Sequence, residues 1–132
     1  MKTVAKLFLV LTVFCCTAGT ASGKELIKVF KGSESRYTDE FKVSAPWIVD
    51  WHVTSELSPA VEVNLVRAGT GIFVGSVLRT KQTGNGVRLF DEGGRFQFRI
   101  NSTMANWSLT VEQLTPEEAE LYTPITEEDR RR

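Results

Sequence analysis

The chain is poor in the side chains that usually carry chemistry. Of 132 residues one is histidine and two are cysteine, and both cysteines, Cys15 and Cys16, fall in the first sixteen positions. A zinc-type centre needs three or four imidazole, thiolate or carboxylate ligands held together, and His52 has no second histidine or later cysteine to join it. Beyond residue 16 no disulfide can form, so stability must come from an ordinary apolar core. No G-x-S-x-G segment occurs, and the lone histidine has no nucleophile at a diagnostic spacing. Nothing in the chain predicts a cofactor. No apolar run approaches the roughly twenty residues of a membrane-crossing helix. Charge of one sign is not in excess either, since sixteen Lys and Arg balance sixteen Asp and Glu. That composition lacks the basic footprint of a nucleic-acid binder.

What is present begins with an address. Lys2 and Lys6 precede the apolar stretch LFLVLTVFCC, and the small, polar TAGTASG follows. This is the three-part layout of a secretory signal peptide, with cleavage expected near Gly23. The expected product is an exported protein, periplasmic or secreted, starting at Lys24. The 109 residues from Lys24 onward suit one domain that can fold as a monomer.

Along residues 24–114 the dominant period is two. ELIKVFK, YTDEFKV, PWIVDWHVT, VEVNLVR, GIFVGSVLRT, GVRLF, RFQFRIN and NWSLTVEQL alternate apolar with polar residues or are rich in β-branched ones. Turn-forming segments separate them, among them KGSES, ELSPA, RAGT, QTGNG, DEGG and NSTMA. About eight short strands at this spacing predict an all-β, single antiparallel β-sandwich of jelly-roll or Greek-key type. The GNG and DEGG segments, flanked by β pattern on both sides, read as hairpin turns rather than phosphate loops. Thr115-Pro116-Glu117-Glu118 has the composition of a helix-capping box. Residues 115–132 therefore read as a short helix, to about Tyr122, followed by a charged tail.

Alternation assigns the faces. In a strand, residues two apart share a side, so Trp47, Val49, Trp51 and Val53 point one way, and Ile48, Asp50, His52 and Thr54 the other. Phe96, Phe98 and Trp107 alternate with polar residues in the same manner. The expected core is thus Trp47, Trp51, Phe96, Phe98 and Trp107, with His52 turned outward beside Asp50. Trp47 and Trp51, about 13 Å apart along an extended strand, would alternatively straddle a sugar chain, but the valines between them favour burial. The candidate ligand-binding residues are the cations of the later strands and turns: Arg79, Lys81, Arg88, Arg95 and Arg99.

FKVSAPWIVDWHV together with GNGVRLFDEGGRFQFRINSTMANWSLTVEQLTPEEAELY resembles a group of small exported bacterial β-sandwich proteins of uncharacterised activity. The likeness covers nearly the whole chain from Lys24 onward, including the TPEEAELY segment, and implies no functional residue. More distantly, the layout is similar to small secreted bacterial β-sandwiches that carry a cysteine pair after the second tryptophan and before the last. In this chain the neighbourhoods of Ser55 and of Met104 and Ala105 correspond, neither holds cysteine, and the resemblance implies that the two lie close in space. The expected function is a non-catalytic binding or interaction module of the bacterial cell envelope, its partner an envelope protein or glycan. The alternatives are a carbohydrate-binding module that uses exposed aromatic and arginine residues, and a small two-carboxylate hydrolase.

Overall fold

In the computed structural model, residues 24–122 are described; the signal-like segment and the end of the charged tail lie outside them. The strands are β1 (Glu25–Gly32), β2 (Arg36–Tyr37), β3 (Phe41–Val43), β4 (Trp47–Thr54), β5 (Ala60–Arg67), β6 (Phe73–Thr80), β7 (Gly84–Phe90), β8 (Gly94–Thr103) and β9 (Asn106–Gln113). A short helix, α1 (Pro116–Ala119), and a 3-10 turn (Glu120–Tyr122) follow.

Pairing is nested and antiparallel throughout. β5 pairs with β6, β4 with β7, β2 and β3 with β8, and β1 with β9. Two further ladders, β4 with β9 and β5 with β8, roll this long double ribbon into two sheets. The first sheet has the order β1-β9-β4-β7, and the second β2-β8-β5-β6 with β3 also on β8. This is the jelly-roll arrangement, and it makes the protein an all-β sandwich.

β2 and β3 are the two halves of the expected YTDEFKV strand, interrupted at Thr38. The hydroxyl of Thr38 accepts the buried Phe98 amide (3.0 Å), while its own amide donates to the Phe98 carbonyl (3.0 Å). A side chain that replaces a main-chain acceptor keeps the buried amide satisfied but breaks the regular ladder.

The core lies between the sheets. Trp47 is stacked on Phe90 (centroids 4.7 Å) and Phe96 (5.6 Å), with Phe41 edge-on at 5.7 Å. Phe41 in turn stacks on Phe98 at 4.9 Å. Burial of each large side chain contributes about 1.5–3 kcal/mol, and each aromatic pair about 0.5–1.5 kcal/mol more. The indole of Trp47 donates to the Glu92 carbonyl (2.8 Å) and that of Trp107 to the Glu34 carbonyl (3.2 Å), so both rings are buried with their polar atom satisfied.

Two expectations about faces are modified. Trp51 packs against the core but is only partly buried, because its strand neighbour β7 is a sheet edge. Ile48, on the outward side of β4, is fully buried. The chain after β9 folds back beside it: the Leu114 amide donates to the Pro46 carbonyl (3.0 Å), and Leu114 is itself buried.

The connections differ more. Among the described elements only β5–β6 is a hairpin between sequential partners. Its loop is closed by Arg67 N to Ile72 O (2.8 Å) and Gly71 N to Arg67 O (2.9 Å), with Gly69 and Gly71 at positive φ. QTGNG and DEGG instead carry the chain from one sheet to the other, and Gly84-Asn85-Gly86 belongs to strand β7. The same small and polar residues serve a hairpin and a sheet-to-sheet arch, so composition alone does not separate them.

Past Gln113 the capping box forms as its residues prescribe. The Thr115 hydroxyl accepts the Glu118 amide (3.2 Å), and the Glu118 carboxylate accepts the Thr115 amide (3.0 Å).

Candidate functional site

Three of the five candidate cations share one face. β8 alternates Arg95, Gln97, Arg99 and Asn101 outward with Phe96, Phe98 and Ile100 inward, so both arginines stand on the outer face of the second sheet. Arg79 of β6 reaches the same face opposite Glu62, and Lys42 of β3 stands directly opposite Arg95. Lys81, in the β6–β7 connection, lines a shallow depression of about 200 Å³ with Arg79 and Asn101. Arg88 does not join them. It belongs to the first sheet, opposite Val49, with its guanidinium 5.6 Å from the Phe90 ring centroid.

This face is under-neutralised. Among the described residues the ion pair of permanently charged groups is Arg67 with Glu92, and His52 lies against Asp50; neither contact uses Lys42, Arg79, Arg95 or Arg99. Glu62 lies across from Arg79, but its carboxylate accepts from the Asn64 amide group (3.0 Å). Like charges directly opposite on neighbouring strands destabilise a sheet by a few tenths of a kcal/mol, and Lys42 with Arg95 is such a pair. Acidic Asp39 and Glu40 occupy the break between β2 and β3, at the edge of the face. Tyr37, opposite Arg99, and Phe73, opposite Val66, are each 60% exposed on the two edge strands.

A second feature has no counterpart in the sequence reading. Three depressions gather at one end of the sandwich, around the β1–β2, β4–β5 and β8–β9 connections. The two largest, about 440 and 770 Å³, share Ser33, Thr54 and Asn106 and form one groove. His52 and Ser108, cross-strand neighbours on the outer face of the first sheet, line its near end with Lys31. His52 Nε2 lies 3.3 Å from Asp50 Oδ1.

The loops around the groove are tied down. Ser55 donates to the Met104 carbonyl (2.5 Å) and accepts from the Leu57 amide (3.0 Å). Ser35 donates to the Ser102 carbonyl (3.2 Å) and accepts the Ser102 amide (2.8 Å). Arg36 donates to the Lys31 carbonyl (3.1 Å) and lies over the Trp107 ring at 5.1 Å. The neighbourhoods of Ser55 and Met104, 49 residues apart in the chain, are thus in contact, as the distant resemblance implies.

None of the four depressions brings two carboxylates together: Glu34, Glu56 and Glu62 each line a different one. Among the described residues there is no cluster of three or more His, Cys, Asp or Glu able to hold a metal ion, and no helix long and apolar enough to cross a membrane. No protein-family model matches the chain, and no curated protein matches its sequence.

Proposed function

We propose that the protein is an exported, non-catalytic binding module of the bacterial cell envelope, and that it holds an anionic partner on the outer face of its second sheet. One observation carries the reading: Lys42 and Arg95 oppose one another with no acid bonded to either, on a face that also bears Arg79 and Arg99. A fold maintains such a like-charge arrangement at a cost unless an external anion offsets it. Guanidinium groups suit that role, because their fork of donors matches a carboxylate or phosphate in two parallel hydrogen bonds. The export and envelope parts of the proposal are supported by the signal-like segment before Lys24.

The test is retention on an immobilised acidic polysaccharide, polygalacturonate, over a salt gradient. Wild-type protein is expected to bind and to elute as salt screens the contacts. A triple variant, Arg79→Ala, Arg95→Ala and Arg99→Ala, should pass through. Equal retention of the folded triple variant overturns the proposal. Crosslinking of tagged protein in the native envelope then identifies the partner, and recovery of the protein alone argues against a macromolecular one.

A further inference from the structure

We infer that the groove at the loop end of the sandwich is a second binding site, separate from the cationic face, and that its ligand is a neutral oligosaccharide. The side chains that shape the loops, Ser35, Arg36 and Ser55, are all hydrogen-bonded to main-chain atoms. Those that line the groove, Ser33, Thr54, Asn106 and Ser108, make no side-chain hydrogen bond within the described residues. Loops fixed by satisfied bonds beside exposed hydroxyl and amide groups with no protein partner present donors and acceptors to a polar ligand at little ordering cost.

Shape and charge narrow the ligand further. Small-molecule clefts are typically about 300–1,000 Å³ and mostly apolar and enclosing. The two connected depressions have that size, about 440 and 770 Å³, but are open troughs along the surface. Their permanently charged lining is one cation, Lys31, and one anion, Glu56, at opposite ends, with the ionisable His52 beside Lys31. Exposed Leu57 and Met104 add apolar surface beside the polar groups, so the trough suits an extended, uncharged chain with both hydroxyl and C–H faces better than an anion.

The test is a two-dimensional amide NMR titration of ¹⁵N-labelled protein with maltotetraose, cellotetraose and chitotetraose, each at millimolar concentration. At least one is expected to shift the resonances of residues 31–33, 52–57 and 104–108 and leave residues 95–99 unmoved. The folded double variant Asn106→Ala and Ser108→Ala should bind about tenfold more weakly, the consequence of two lost hydrogen bonds. The Arg79, Arg95 and Arg99 triple variant should bind as wild type does, so the two sites fail or survive independently. No shift with any of the three sugars, shifts confined to the cationic face, or full binding by the double variant each overturns the inference.

Discussion

Gly86 lies beneath the indole of Trp51: a β-carbon on the glycine would stand 2.7 Å from Cζ2 and 2.8 Å from Cε2 of the ring. The two residues face one another across β4 and β7. Gly32 and Trp107 repeat the relation across β1 and β9, where a β-carbon would meet Cζ2 at 2.8 Å. Each edge strand of the first sheet thus seats a tryptophan of its neighbour on a residue without a side chain. Gly86→Ala should lift the Trp51 ring away from β7 and destabilise the protein by about 1–3 kcal/mol, the usual cost of overpacking. Wild-type fluorescence should contain one component accessible to acrylamide, from Trp51, because Trp47 and Trp107 are 0% and 2% exposed. In the alanine variant that component should be quenched more strongly and shifted to the red; an unchanged spectrum contradicts the seating.

A second prediction concerns the interrupted strand. Thr38→Val keeps shape and β-propensity but removes the acceptor of the buried Phe98 amide. Leaving such a donor unpaired costs about 1–3 kcal/mol. Thr38→Ser, which retains the hydroxyl, should lose much less. Chemical denaturation of the three proteins checks the order, and equal loss in the two variants would show that the methyl group matters rather than the bond.

Alternation made the inner faces legible: Phe96, Phe98, Trp107 and Trp47 are in sequence where a two-residue period places a core, and all four are buried. The capping box was legible because its signal lies within four residues. Ile48 was not, since it is fully buried although its parity puts it on the outward side of β4. Nor were the arches distinguishable from hairpins, because turn composition records that the chain bends and not which sheet it enters. The cationic face was half visible. Arg95 and Arg99 share a parity within one strand, but Arg79 and Lys42 join them only through pairing, and the same pairing sends Arg88 to the other sheet. The groove had no local signal at all, being assembled from the end of β1, the end of β4 and the start of β9.

A third prediction follows from where the two ends of the described chain meet. Lys24 Nζ lies 5.3 Å from the Tyr122 ring centroid. Hydrogen bonding to Tyr122 raises the Lys24 ammonium above the usual lysine value, against the opposing effect of desolvation, with the charges of Glu112 and Asp50 adding to the rise. A folded-state value above the unfolded one means that the stabilising contribution is fully present below the ordinary lysine range. It is lost as pH rises through the raised value. Tyr122→Phe should lower the Lys24 titration midpoint, followed by NMR of its side-chain carbon. It should also flatten the loss of stability at strongly alkaline pH. An unmoved midpoint would remove Tyr122 as the cause.

The last prediction separates strain from attachment at the groove. Met104 at φ +53° carries the penalty of a left-handed conformation, roughly 1–2 kcal/mol for a residue with a β-carbon, while its carbonyl is held by Ser55. Met104→Gly removes the penalty and keeps the carbonyl, at the expense of greater freedom in the unfolded chain. The variant should therefore be as stable as wild type or up to about 1 kcal/mol more stable. Met104→Val places a β-branched residue in the same conformation and should be destabilised. Ser55→Ala removes both bonds of the hydroxyl, and should cost about 0.5–1.5 kcal/mol while raising amide hydrogen exchange at Leu57. If instead Met104→Gly is destabilised as much as Met104→Val, the side chain at 104 contributes packing that outweighs its backbone strain, and the left-handed turn is held for the contact rather than in spite of it.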